Sequence, residues 1–154
     1  MGPSEVSWNG RTIAVDLGYR GPLWVPDLGS TEWWEPRDEN WQRFRRTTEA
    51  SFRSVRGVLF VADSQRARQE ANLERVERLE RELQHVGRDK EAVVVLFALN
   101  KQDLAGRSDL TSTSDLRSTL TWPVCEHIET SARNGIGVEQ AVDRLLRMVD
   151  ADGS

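Results

Sequence analysis

Two apolar runs on either side of an amphipathic segment constrain this chain more than any other feature: Gly57 to Asp63, GVLFVAD, and Ala92 to Leu99, AVVVLFAL. Neither run alternates apolar with polar, so each reads as a strand buried on both faces, the pattern of parallel sheets covered by helices. Between them, Gln65 to Val86 carries Leu73, Val76, Leu79, Leu83 and Val86 at three- and four-residue spacing. That spacing makes one apolar helical stripe, and Glu74/Arg78 and Glu77/Arg81 fall at i,i+4 on the solvated side. Gly87 stands just past the end, where a left-handed residue stops a helix. A polar loop, Asn100 to Ser108, follows the second run. A short helix is predicted over Ser114 to Leu120 and a third strand over Val124 to Glu129. A closing helix over Gly137 to Val149 turns Val138, Ala141, Val142, Leu145, Leu146 and Val149 to one side. Strands and helices in this order predict βαβ units around a parallel sheet, an α/β doubly wound fold.

The 154 residues are read as a single domain, 1–154, because a chain of this size buries roughly 70% of its unfolded surface. No apolar run reaches the roughly 18 residues a membrane span needs, and Met1 to Gly10 lacks the basic start and apolar core of a signal peptide. A cytoplasmic protein without a transmembrane segment is therefore expected. The lone Cys125 lies in a predicted strand and reads as a small buried hydrophobe. A net charge of -4, with acids and bases interspersed, argues against a nucleic-acid partner, which calls for a clustered basic face. Basic residues are nearly all arginine, and Lys90 and Lys101 are the two lysines.

The first 56 residues are less regular. Thr12 to Leu17 reads as a strand, Gly18-Tyr19-Arg20-Gly21 as a turn and Leu23-Trp24-Val25 as a second strand, together a hairpin. Asp27 to Asn40, which holds Trp33 and Trp34, has neither helical nor strand period and reads as a loop. Trp41 to Val55 reads as a helix with Trp41, Phe44, Thr48, Phe52 and Val55 as its stripe.

Chemistry concentrates in two loops. Asn100-Lys101-Gln102-Asp103 follows a buried strand directly. There an aspartate carboxylate can accept both the ring N–H and the exocyclic amine of guanine, a charge-assisted pair that adenine cannot reproduce. The asparagine amide can bond the purine and tie neighbouring loops, and the lysine stem can lie along the face of the base. Glu129-Thr130-Ser131-Ala132 follows the last strand, and the backbone N–H groups of Ser131 and Ala132 can bond the guanine oxygen. Both loops lie at the carboxyl ends of strands, where doubly wound sheets bind ligands.

With Phe60-Val61-Ala62-Asp63-Ser64 and Ala71-Asn72-Leu73-Glu74, these motifs resemble the Ras-like small GTPases, specifically the bacterial MglA type and Arf. The resemblance is continuous over residues 57–149. It implies a Ras-like fold of the P-loop NTPase type, with GTP or GDP as the nucleotide and Mg2+ if a phosphate site exists. The segment Thr12 to Gly18 resembles the switch I region and second strand of bacterial GTPases that work with Roadblock-fold partners. That resemblance implies a magnesium-ligating role for Thr12, a hydrolysis-assisting role for Arg11, and a protein partner of Roadblock type or another effector.

The sequence also departs from the family. No GxxxxGK(S/T) loop, whose backbone N–H groups surround the phosphates, occurs in it. Lys101 belongs to the base-reading motif, and Lys90 precedes a strand at the end of the sheet opposite the ligand. Gly10-Arg11-Thr12 is not a degenerate phosphate loop, since no strand is expected before it and a strand rather than a helix follows. Asp27-Leu28-Gly29-Ser30 is one residue too short for the switch II signature and has Ser30 where the water-positioning glutamine belongs, so residues 27–40 are read as a divergent, Trp-rich switch II-like loop with impaired hydrolysis. Three explanations stand for the absent first strand and P-loop: a reading frame that starts upstream of Met1, a split domain, or a sheet rebuilt from the hairpin. Two functional classes stand as well. One is a guanine-nucleotide-binding switch; the other is a non-catalytic pseudo-GTPase that binds partners through Trp33, Trp34 and Trp41, unless those rings cover core instead.

Overall fold

A computed structural model describes residues 4–8, 11–16, 49, 52–53, 55–106 and 109–152, the first two stretches by backbone alone. The chain divides into two compact units, Met1–Ser54 and Val55–Ser154.

In the first unit, strand β1 (Ser4–Trp8) pairs antiparallel with β2 (Arg11–Asp16), from Ser4 opposite Asp16 to Trp8 opposite Arg11, with a register shift between Val6 and Ser7. The expected strand from Thr12 is present, but its partner precedes it. The predicted turn Gly18 to Gly21 and strand Leu23 to Val25 lie outside the described residues. Asn9-Gly10 separates the paired strands in the sequence, and this dipeptide is the stronger hairpin signal because both residues tolerate the positive φ of a type I′ turn. A strand does therefore precede Gly10-Arg11-Thr12, contrary to expectation, and the strand after it stands as read. Glu49, Phe52 and Arg53 are helical and Phe52 is buried. Trp33, Trp34, Trp41 and the segment Asp27 to Asn40 lie outside the described residues.

The second unit is built on a three-stranded parallel sheet in the order β3 (Gly57–Asp63), β4 (Val94–Asn100), β5 (Cys125–Glu129). Every residue from Val94 to Leu99 is buried, as an unalternating run in a central strand requires. Val94 and Leu96 pack on Ala141, Leu145 and Met148 of helix α3 (Val138–Asp152). Phe97, on the opposite face, meets Phe60 and His127 at centroid distances of 5.2 Å each. Gly57 lets α3 approach the start of β3, because a Cβ there would overlap the Val149 Cγ2 methyl.

Helix α1 (Gln69–His85) ends as predicted. Gly87 takes φ +75, and its N–H donates to the Gln84 carbonyl while Arg88 N–H donates to the Leu83 carbonyl, the paired bonds of a Schellman stop. The buried stripe differs from the predicted one. Leu79 and Leu83 are buried, but Leu73 is 43% exposed and Asn72 and Glu82 are buried instead. The cause is polar: the Asn72 amide bonds the backbone of Asp63, and this fixes which way the helix faces. In α3 the buried residues are Ala141, Leu145 and Met148, at i, i+4 and i+7, while Val138 at the first turn is 40% exposed. The short helix α2 (Thr113–Thr119) is capped by Ser112, whose Oγ accepts from Asp115 N–H at 3.1 Å. Cys125 is half-buried rather than buried, for β5 has a pairing partner on one side only among the described strands. Among the described residues no helix is long and apolar enough to cross a membrane.

Candidate functional site

All three strands of the second unit end together. Ser64 N–H donates to the Asn100 carbonyl at 3.2 Å, Thr130 N–H to the Leu99 carbonyl at 3.1 Å, and Gln102 N–H to the Thr130 carbonyl at 3.2 Å. At this edge Lys101 adopts φ +70, the one positive φ at a non-glycine among the described residues. A left-handed lysine costs roughly 1 to 2 kcal/mol, and what it achieves is a sharp turn from β4 into the 3-10 turn Gln102–Leu104, which carries Asp103 back over the strand ends.

The two predicted loops are stapled by their own side chains. The Asn100 Oδ1 accepts from Thr130 Oγ1 at 3.1 Å and from Ala132 N–H at 2.9 Å. Asp103 Oδ1 accepts from Ser131 Oγ at 2.9 Å. Gln102 Nε2 donates to Ser64 Oγ and to the Leu99 carbonyl, 3.1 Å each, so this residue of the motif ties the loop to the strand ends. Among the described residues Asn100 Nδ2 and Asp103 Oδ2 have no partner, which leaves one donor and one carboxylate oxygen beside an open cavity. That cavity, of about 360 Å³, is lined by Asn100, Lys101, Asp103, Leu104 and Arg133. Behind it, Gly137 is obligatory: its φ is +78 and a Cβ would stand 2.7 Å from the Glu129 carbonyl oxygen.

The fold thus brings Asn100, Lys101, Asp103, Ser131 and Ala132 to one place. Arg11 and Thr12 open β2 in the other unit, opposite Trp8 and Ser7 respectively. Lys90 sits at the amino end of β4, as read from the sequence. Its ammonium is 3.2 Å from Glu80 and 5.0 Å from the Trp122 ring centroid. Among the described residues no cluster of three or more His, Cys, Asp or Glu side chains could hold a metal.

Three site residues have no role of their own in the sequence reading, although two of them lie in its motifs: Thr130, whose hydroxyl orients Asn100; Arg133, which lines the cavity; and Asp63. The last ends β3 directly opposite Asn100 and lies 3.0 Å from the Lys101 ammonium. Gln65 also donates to the Asp63 carboxylate, through N–H at 3.0 Å and through Nε2 at 3.2 Å. Burial pushes this carboxyl up, but the Gln65 N–H, the Lys101 ammonium and the Gln65 amide outweigh it and hold the pKa below its ordinary 3.8. A carboxyl depressed by folding stabilises the folded state above its unfolded pKa and loses that contribution as pH falls through the folded value. Asp63→Asn should therefore flatten the acid limb of a thermal-stability profile from about pH 4 downward. Identical acid limbs in the two proteins would contradict the geometry.

Residues 41–151 match the family model described as the Ras family. This chain belongs to the Ras family. The Ras-like reading from the sequence stands, and with it the α/β class, carried here by the parallel β3-β4-β5 sheet and its helices. The chain is also 31% identical over 97 residues to the Mutual gliding-motility protein MglA of Myxococcus xanthus (strain DK1622), an alignment that covers 63% of this chain and 48% of that protein. The chain therefore spans about half the length of this curated relative. In this small-GTPase-like chain the stapled loops occupy the carboxyl edge of the sheet, where doubly wound folds place ligands.

Proposed function

We propose that this chain is a guanine-nucleotide-binding, MglA- and Arf-like switch protein whose base is read by Asn100, Lys101 and Asp103, with Ser131 and Ala132 behind them: Ser131 N–H donates to the Ile136 carbonyl and Ala132 N–H to Asn100 Oδ1, so in this arrangement the two hold the readers in place. One observation carries the reading. Asn100 and Asp103 are each fixed from behind, by Thr130 and Ala132 and by Ser131, while Nδ2 and Oδ2 have no partner among the described residues and stand beside the cavity. The open carboxylate oxygen, with the second lone pair of Oδ1, suits the two adjacent N–H donors of guanine. In the same reading residues 1–154 form one small-GTPase-like domain, 27–40 its divergent switch II counterpart, and Arg11 and Thr12 the switch I pair. Mg2+ enters if a phosphate site is present. A cytoplasmic location and a protein partner, of Roadblock type or another effector, complete it.

A second reading is favoured by the lysines. Lys101 is drawn to Asp63 and Lys90 to Glu80 and Trp122, so each of the two lysines already has an anionic protein partner. This supports a module with impaired hydrolysis and weak nucleotide affinity, in the limit a pseudo-GTPase that acts through partners. Backbone NMR separates the base reading from its absence: millimolar GDP should shift the amides of Asp103, Ser131 and Ala132, and ADP should not. No GDP response in any of the three would overturn the base reading. Titration calorimetry of the 154-residue chain with GTP should yield little heat, and a submicromolar Kd would remove the second reading.

A further inference from the structure

We propose that Asp63 is a positioning residue for Lys101, holding the ammonium at the cavity wall so that the lysine stem lies ready along the base; this rests on the guanine reading above. Lys101 is itself 44% exposed at the side chain, and Asp63 Oδ2, at 3.0 Å, is its one charged partner among the described residues. A long, half-exposed side chain without a fixed partner samples many rotamers, and an exposed ion pair would hardly restrain it. Asp63 is not such a partner. Its side chain is only 18% exposed, and its carboxylate accepts from Gln65 N–H and Gln65 Nε2.

The backbone of Asp63 is anchored as firmly. Asn72, buried to 1% exposure on α1, accepts from Asp63 N–H at 3.2 Å and donates to the Asp63 carbonyl at 2.8 Å. Gln69 Nε2 donates to the same carbonyl at 3.1 Å. A rigid path therefore runs from α1 through the end of β3 to the lysine, and it is independent of the Ser131 and Ala132 staples that hold Asn100 and Asp103. A residue placed this way should govern affinity without governing base choice, because guanine is distinguished from adenine at Asp103.

The chain suits a direct test, since Lys90 is the other lysine and serves as an internal standard. In competitive acetylation with acetic anhydride, followed by peptide mass spectrometry, Asp63→Asn should raise the Lys101 rate about threefold or more relative to Lys90, because a side chain no longer held 3.0 Å from the Asp63 carboxylate is freer to meet the reagent. GDP affinity, read from the Ser131 and Ala132 amide shifts, should fall about tenfold with the GDP-to-ADP preference unchanged. Lys101→Met, which leaves every contact of Asn72 intact, should lose affinity similarly, and adding Asp63→Asn to it should cost nothing further; this non-additivity is the sign of action through the lysine. An unchanged Lys101 rate overturns the proposal, as does full additivity of the two substitutions. If the native chain responds to GDP and Asp63→Asn responds equally, the proposal fails and the base reading stands. If the native chain gives no GDP response, the base reading fails and the proposal with it.

Discussion

Asp103→Ala is expected to reduce the preference for GTP over ATP by about tenfold or more, while leaving the fold intact. In the native chain Asp103 Oδ1 accepts from Ser131 Oγ, and Oδ2 has no partner among the described residues. Truncation leaves the guanine ring N–H and exocyclic amine facing a cavity with no acceptor, and an unpaired donor costs about 1 to 3 kcal/mol. About 1.4 kcal/mol corresponds to a factor of ten in affinity. Adenine, which places no such donors there, should bind the variant and the native chain alike. The contribution of the lost Ser131 bond to folding is small by comparison, since Asp103 is only half-buried. Competition binding with GTP and ATP checks this, and equal selectivity in native and variant chains would exclude the site.

The largest effect on stability is expected at Phe97→Ala. Phe97 is fully buried in the central strand, with its ring set between Phe60 and His127 at 5.2 Å each. Removing a ring from such a place loses its transfer energy and leaves a void that flanking strands, fixed by their ladders, cannot close. Losses of about 3 to 5 kcal/mol are usual for this substitution, against a total stability of about 5 to 15 kcal/mol for a domain. Urea unfolding followed by circular dichroism should place the variant midpoint far below that of the native chain, or show no folded baseline. A loss under about 1 kcal/mol would mean that the packing around β4 differs from that described here.

The readable parts of this chain are those whose physics is local. GVLFVAD and all but the start of Ala92 to Leu99 are strands because an uninterrupted apolar run suits the interior of a parallel sheet, and Gly87 ends α1 because the stop needs a left-handed residue. The polar motifs after β4 and β5 are legible for a similar reason: their position at strand ends limits what they can do. What escapes is non-local. A hydrophobic stripe cannot reveal that Asn72, and not Leu73, faces inward, because the reason lies in the backbone of Asp63 on another element. The Asp63–Lys101 pair is hidden likewise, since only the register of β3 against β4 makes these residues neighbours. At the amino terminus the pairing of Ser4–Trp8 with Arg11–Asp16 goes unread, because no strand is expected before Gly10; the Gly18 to Gly21 turn lies outside the described residues. The Trp33/Trp34 segment is open to experiment on its own terms.

The stapling of the base-reading loops has a consequence for the order in which the molecule assembles. The bonds that join them span 28 residues from Asp103 to Ser131, 30 from Asn100 to Thr130, 32 from Asn100 to Ala132 and 38 from Ser64 to Gln102. Contacts so distant in sequence are closed only after the entropy of long loops has been overcome, and parallel pairing delays them further. Helices α1 and α3 can form early from local contacts, but the cavity lacks its Arg133 wall, and Asn100 and Asp103 lack their staples, until β5 has docked on β4. Refolding should therefore recover helical signal before the site recovers its shape, and a chain stalled before β5 docks would be largely helical and blind to any base.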